Sequence, residues 1–283
     1  MQNLTDPRVI HALLAKNGAA LKKALGQNFL IDPSVCPAMA EEAGIGANTC
    51  ALEIGPGVGV LTVELAKRAK KVLAFEVDRA LLPVLDETLA EFSNVTVRNE
   101  DVLKADLAAV LKTEAAGLDV VVCANLPYYI TSPVLMKLLE SRLPIRTITV
   151  MVQKEAAERL CAAVGTRESG AVTVAVAYYA RAERLFGVGR NSFLPPPKVD
   201  SEVIRLTVRE KPPVDVSDEA RFFRVVRAAF GQRRKTAENS LSAGLGLPKE
   251  TVGAALDACG LARSVRAEKL TLADFAALSE ALN

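Results

Sequence analysis

This sequence predicts an α/β fold: a mostly parallel sheet of about seven strands, followed by a small all-helical domain. Three observations carry the prediction. Short apolar runs alternate with stretches of helical apolar spacing from residue 50 to residue 163, the rhythm of strand–helix–strand units. Runs such as Asp119-Val-Val-Val-Cys123 are nearly all apolar, as central strands buried on both faces must be. Beyond residue 218 the spacing is helical, broken by glycines.

Taken in order, residues 50–54, 72–77 and 95–97 read as strands, with helices over 58–69 and 79–92 between them. Pro83 is tolerated because it falls in the first turn of its helix. A strand over 120–124, a helix over 132–139, a strand over 147–152 and a helix over 154–163 continue the series. Residues 172–179 and 202–208 then read as two strands with no helix between them, an edge hairpin or meander with at least one strand antiparallel. Residues 209–218, charged and holding Pro212 and Pro213 side by side, read as a linker. The expected division is a first domain over 1–208 with an N-terminal helical extension, and a helical domain over 219–283. Its helices are expected over 219–230, 249–259 and 272–282.

Composition narrows the function classes. Of 283 residues, 50% are hydrophobic and 24% charged, the balance of a soluble globular protein. The most apolar stretch, 171–180, falls short of the ~18 residues of a membrane span, and no secretory segment is expected. Five cysteines, Cys36, Cys50, Cys123, Cys161 and Cys259, form no C-x-x-C pair. Neither a disulfide framework nor a metal site is expected, and a reducing cytoplasm fits. The one histidine, His11, reads as a surface helix residue, which removes His-dependent triads. Net charge is only +2, so any nucleic-acid contact must come from a local patch.

The segment Glu53-Ile-Gly55-Pro-Gly57-Val-Gly59 follows the first strand of the sheet and opens a helix. Its glycines allow a tight turn and let backbone N–H groups approach a ligand. The spacing G-x-G-x-G departs from a dinucleotide fingerprint, and alone it is equally a structural turn. Glu76 stands 21 residues after Gly55 at the end of the next strand, where an acid can accept both hydroxyls of a ribose. Asp101 follows the third, where a carboxylate can take a hydrogen bond from an adenine amino group. Singly each acid reads as a solvated turn residue; together at successive strand ends they point to an adenosine-containing cofactor.

The fourth strand delivers Asn125-Leu-Pro-Tyr128. An exocyclic adenine nitrogen is a poor nucleophile because its lone pair is delocalised into the ring. Two acceptors for its hydrogens favour a more tetrahedral nitrogen. Asn125 offers a side-chain carbonyl, and Leu126 a main-chain carbonyl left free by the following Pro127. Pro127 fixes the turn, and Tyr128 offers a face on which a flipped-out base can stack. A dehydrogenase would need a pyrophosphate cradle and a catalytic His or Tyr–Lys pair, and neither is evident.

Together these motifs resemble the Rossmann-like class I S-adenosylmethionine-dependent N6-adenine methyltransferases. Three further segments resemble the ribosomal RNA adenine dimethyltransferase family within that class: Gly26-Gln-Asn28-Phe-Leu30, Phe193-Leu-Pro-Pro-Pro-Lys-Val-Asp-Ser201, and Phe230-Gly-Gln-Arg233-Arg234-Lys235-Thr236 with Asn239-Ser-Leu241. The resemblance implies S-adenosylmethionine as cofactor, with Asn28, Leu30, Gly55, Gly57, Glu76, Asp101 and Asn125 in contact with it. It implies that Phe193 faces Tyr128 across the target base. It also implies a substrate of two adjacent adenines in the 3′-terminal hairpin of small-subunit (16S) ribosomal RNA, each methylated twice at N6. Partners would be that RNA and the immature small subunit, met by a cytoplasmic monomer. Departures from the family pattern fall at Ala24, Leu25, Tyr129, Ala237 and Glu238.

Arg221, Arg224 and Arg227, then Arg233, Arg234 and Lys235, lie in a span without acids between Glu219 and Glu238. They read as a phosphate-contacting face, against the bland alternative of a solvated helix face. Lys22 and Lys23 either extend that surface or form an exposed helix end. Phe193, in its polar and Pro-rich loop, reads as a mobile rim residue rather than a core one, and Tyr178 and Tyr179 as strand packing. Competing readings are methylation of large-subunit ribosomal RNA, a ribosome-assembly or transcription-associated binding factor with secondary catalysis, and a nicotinamide dehydrogenase.

Overall fold

A computed structural model describes residues 2–22 and 25–282; Lys23 and Ala24 lie outside the described residues. The first half is built of α1 (Pro7–Lys16), β1 (Phe29–Leu30), α2 (Val35–Glu42), β2 (Thr49–Ile54), α3 (Val60–Ala66), β3 (Lys71–Phe75), α4 (Leu82–Thr88), β4 (Val95–Arg98), α5 (Leu107–Glu114), β5 (Asp119–Asn125), α6 (Thr131–Glu140) and β6 (Ile145–Gln153). Then follow α7 (Lys154–Leu160), α8 (Ala171–Tyr179), β7 (Ala180–Val188), β8 (Phe193–Leu194), β9 (Ser201–Val208), α9 (Glu219–Phe230), α10 (Ala237–Leu245), α11 (Lys249–Ala258) and α12 (Leu272–Ala281).

Seven strands form one sheet in the order β4-β3-β2-β5-β6-β9-β7. The pairs β2/β3, β2/β5, β3/β4 and β5/β6 are parallel, and β9 runs antiparallel to β6, with Val150 opposite Ile204. The strand order reverses between β2 and β5, where open α/β sheets leave a crevice at the carboxyl ends. Every residue of β2 is buried, as are Val120 to Ala124 of β5, which is why these strands read as continuous apolar runs. Ala51, Val72, Val121, Cys123, Met151 and Val203 share a core with Met39 of α2 and Leu61 and Leu65 of α3. A second core joins Ile10, Leu13 and Leu14 of α1 to Val63, Val84 and Leu85. His11 is exposed on α1.

Two expectations fail. Residues 172–179 are a helix, not a strand, and the edge strand is the next segment, β7. A uniform apolar run does not reveal its own period. The helix is started at Gly170, whose N–H donates to Thr173 Oγ1 (3.0 Å), while that hydroxyl donates to the Arg159 carbonyl (2.7 Å). Tyr178 and Tyr179 pack on Phe222 and Phe223 of α9. Strand β7 escaped notice because, as an edge strand, it carries Arg181, Glu183 and Arg184.

The chain divides into two compact units, one of residues 1–157 and 183–208, the other of 158–182 and 209–283. The first unit ends at residue 208, but residues 158–182, expected in the first domain, group with the helical unit. There α9 packs on α10 closely enough that a Cβ at Gly244 would lie 2.7 Å from the Ala228 Cβ. None of the described helices is long and apolar enough to cross a membrane.

Candidate functional site

A cavity of about 430 Å³ opens at the carboxyl ends of β2, β3, β4 and β5. Every residue expected to meet the cofactor or the target base lines it: Asn28, Leu30, Gly55, Gly57, Glu76, Asp101, Asn125, Leu126, Pro127, Tyr128 and Phe193. All belong to the first unit.

The floor is the glycine turn between β2 and α3. Gly55, Gly57 and Gly59 have φ of 71°, 62° and 92°, a region costly to side-chain-bearing residues. A Cβ at Gly57 would come within 3.0 Å of the Phe29 ring. Glycine is required here on both counts. The Gly55 N–H donates to the Phe75 carbonyl (2.9 Å), tying the turn to the end of β3.

One residue later on that strand end, Glu76 is buried, and its Oε1 accepts the Asp78 N–H (2.8 Å). Burial raises its carboxyl above the usual range; N–H groups of Asp78 and Gly57 oppose the rise. Asp101 Oδ1 accepts the Leu103 N–H (2.9 Å) in a tight turn. Lys137 of α6 donates to the carbonyls of Leu103 (2.9 Å) and Ala105 (2.8 Å), pinning the same loop.

At the end of β5, the Leu126 N–H donates to the Met151 carbonyl (3.3 Å). The Asn125 Nδ2 donates to the Asn28 carbonyl (3.5 Å), the amide orientation that keeps Oδ1 as an acceptor. The half-buried Tyr128 shares a hydrogen bond with Ser201 Oγ (2.7 Å) at the start of β9, and Tyr129 beside it is 58% exposed.

Phe193 corrects the expectation of a mobile rim residue. It is 2% exposed and sits in β8, which pairs antiparallel with β1 so that Leu30 faces Phe193. This pairing joins the N-terminal Gly-Gln-Asn-Phe-Leu segment to the Pro-rich loop. Phe193 thus belongs to the core and to the cavity wall at once.

Sequence reading did not single out Glu53. Glu53 lines the cavity at 1% exposure, and its buried Oε2 has no hydrogen-bond partner. Burial pushes it up to about 8, opposed by Thr62 and aided by the charge of Glu76. The available signal was one acid in an otherwise apolar strand ending. A buried carboxyl with an unused acceptor, a turn that only glycine can make and two acids at neighbouring strand ends fit an adenosine-bearing cofactor with a polar tail.

In the helical unit, Arg224, Arg227, Arg233, Arg234 and Lys235 are exposed. Arg221 is not: with an 11% exposed side chain, it donates to Ser217 Oγ (2.8 Å) and pairs with Glu280 (3.4 Å). Its inward turn takes it out of the expected phosphate-contacting set. Lys22 is no free extension of that surface either, because its ammonium pairs with Asp78 (2.6 Å).

The sheet order, the glycine turn and the acids at the strand ends define a Rossmann-like methyltransferase domain. The profile of the ribosomal RNA adenine dimethylase family matches residues 18–283. The ribosomal RNA small subunit methyltransferase A proteins of Bacillus mycoides and Bacillus cereus are each 51% identical to this chain over 286 residues, spanning all of it and 98% of each relative. Among solved structures, the 23S rRNA methyltransferase ErmE superposes with a TM-score of 0.67 at 30% identity, over 90% of this chain and 99% of its own. A dimethyladenosine transferase from Plasmodium falciparum gives 0.71 at 26% identity, over 88% and 95%. The chain belongs to the ribosomal RNA adenine dimethylase family.

Proposed function

We propose that this protein transfers methyl groups from S-adenosylmethionine to N6 of two adjacent adenines in the 3′-terminal hairpin of small-subunit ribosomal RNA, giving N6,N6-dimethyladenosines. The observation that carries the reading is the convergence, in one cavity at neighbouring strand ends, of Glu76, the glycine turn and Asn125-Leu-Pro-Tyr128. When bound, the cofactor supplies a methyl group already activated by a sulfonium. Glu76 would hold the ribose hydroxyls, Asp101 the adenine amino group, and Asn28, Leu30, Gly55 and Gly57 the rest of the molecule.

The chain's own task is then to present a nitrogen lone pair. Asn125 Oδ1 and the Leu126 carbonyl accept the two N6 hydrogens of the target adenine, and Pro127 fixes the turn that presents the second carbonyl. Tyr128, anchored by Ser201, and Phe193, anchored in the core, supply apolar faces for the base. Positioning of this kind lowers a barrier by up to ~7–11 kcal/mol. The methylated nitrogen releases its proton to water, so no general base is needed. Exposed Arg224, Arg227, Arg233, Arg234 and Lys235 bring the RNA phosphates to the helical unit.

Small-subunit RNA is favoured over large-subunit RNA by the 51% identity to small-subunit methyltransferases against 30% to a 23S enzyme. The test is to incubate the protein and cofactor with immature small subunits, or with large-subunit RNA, and to map modified positions by primer extension. Stops at two adjacent adenines near the 3′ end of the small-subunit RNA support the reading. Stops only in the large-subunit RNA overturn it.

A further inference from the structure

Behind the proposed ribose acid lies a hydrogen-bonded cluster that the reaction itself does not use. Asp78 is 4% exposed, and both of its carboxylate oxygens are engaged. Oδ1 accepts from Lys22 Nζ (2.6 Å) and the Ala80 N–H (3.0 Å); Oδ2 accepts from Gln27 Nε2 (3.0 Å). The Asp78 N–H in turn donates to Glu76 Oε1 (2.8 Å). Gln27 completes the ring, its Oε1 accepting the Lys22 N–H (2.7 Å). Gln27 lies between Gly26 and Asn28, and all three line the cavity, whereas neither Lys22 nor Asp78 does.

We propose that Asp78 is a positioning residue for the cofactor, fastening the Gly26–Asn28 wall to the strand end that carries Glu76. The inference rests on the cofactor reading above and adds to it a control of affinity from outside the cavity. A nearly buried carboxylate is costly to leave without its donors. The cluster therefore holds the N-terminal wall in place before the cofactor arrives, and a wall already ordered spares the ordering entropy of binding. Lys22 and Gln27 also keep the Asp78 carboxyl below its usual range against the effect of burial, so the clamp is charged at neutral pH. The half-exposed Lys22 makes the clamp sensitive to salt.

The test is calorimetric titration of S-adenosylmethionine into the full-length wild type and the Lys22→Met, Lys22→Arg and Asp78→Asn variants, with turnover measured at saturating cofactor. Kd is expected to rise about tenfold in Lys22→Met and Asp78→Asn and to recover in Lys22→Arg. In Lys22→Met, KM for the cofactor rises while kcat holds, and the salt dependence of Kd shrinks. If Asp78→Asn does not fold, the two Lys22 variants carry the test. Wild-type affinity in Lys22→Met, even with a lowered Tm, overturns the proposal and leaves the pair a structural one. A wild type that binds no S-adenosylmethionine overturns instead the cofactor reading on which it rests.

Discussion

Replacing Glu53 by Gln tests the electrostatics of the cavity without changing its shape. Glu53 sits at 1% exposure with Oε2 unpartnered, and burial, with the nearby charge of Glu76, lifts its carboxyl to about 8 from an ordinary 4.5. The unfolded chain therefore loses this proton near pH 4.5, while the folded chain keeps it until near pH 8. Between those values the folded state binds more protons, so stability falls as pH rises; below the window Glu53 contributes no pH dependence, and above it the full cost is present. At about 1.4 kcal/mol per pH unit, the span of about 3.5 units amounts to at most about 5 kcal/mol. Gln keeps the size and hydrogen-bonding capacity and removes the titration. The assay is chemical denaturation of the cofactor-free protein at a series of pH values from 4 to 9, followed by circular dichroism. Stability of Glu53→Gln relative to wild type should grow steadily from pH 5 to pH 8 and then level off. A difference independent of pH would mean that Glu53 ionises normally in the folded protein, and would refute the reasoning.

Gly57→Ala forces a Cβ into a φ of 62° and against the Phe29 ring. It should cost about 1–2 kcal/mol from backbone strain alone, read as a lower Tm, and should weaken cofactor binding in a calorimetric titration. Phe193→Leu keeps an apolar side chain in the core but removes the flat face. The loss of stacking, ~1–3 kcal/mol per base, should reduce kcat/KM for RNA by about 5- to 150-fold, with cofactor affinity unchanged. Replacing Arg224, Arg227, Arg233 and Arg234 by Ala should flatten the dependence of RNA affinity on salt by about 0.7–0.9 in log–log slope per lost phosphate contact. Arg221→Ala, which breaks the contacts to Ser217 and Glu280, should instead lower Tm and leave that slope unchanged; filter binding at several salt concentrations separates the two.

Much of the first unit was legible because its signals are local. Fully buried strands such as β2 and β5 announce themselves as apolar runs, and the strand ends carry a glycine turn, two acids and Asn-Leu-Pro-Tyr within a few residues of each strand. What was hidden depends on partners distant in sequence. Phe193 is buried because β8 pairs with β1, some 160 residues away, and nothing in its own loop says so. Arg221 turns inward to Glu280, and Lys22 to Asp78. Helix α8 looked like a strand because an unbroken apolar run fits either structure. Helix α10 was missed for a related reason: Gly244, a poor helix former, is present because the helix backbone approaches Ala228 of α9.

The central claim is that Asn125 and Leu126, at the tip of β5, make an adenine nitrogen reactive. Its most direct test is mass spectrometry of nucleosides from immature small subunits treated with cofactor and either wild-type protein or Asn125→Ala. Wild type should yield N6,N6-dimethyladenosine. Asn125→Ala should fall by roughly 10²–10³ in turnover, the scale of losing one preorganised polar contact at the reacting centre, while its cofactor affinity changes by far less. Methyl groups found on another base, or undiminished dimethyladenosine from Asn125→Ala, would contradict the account.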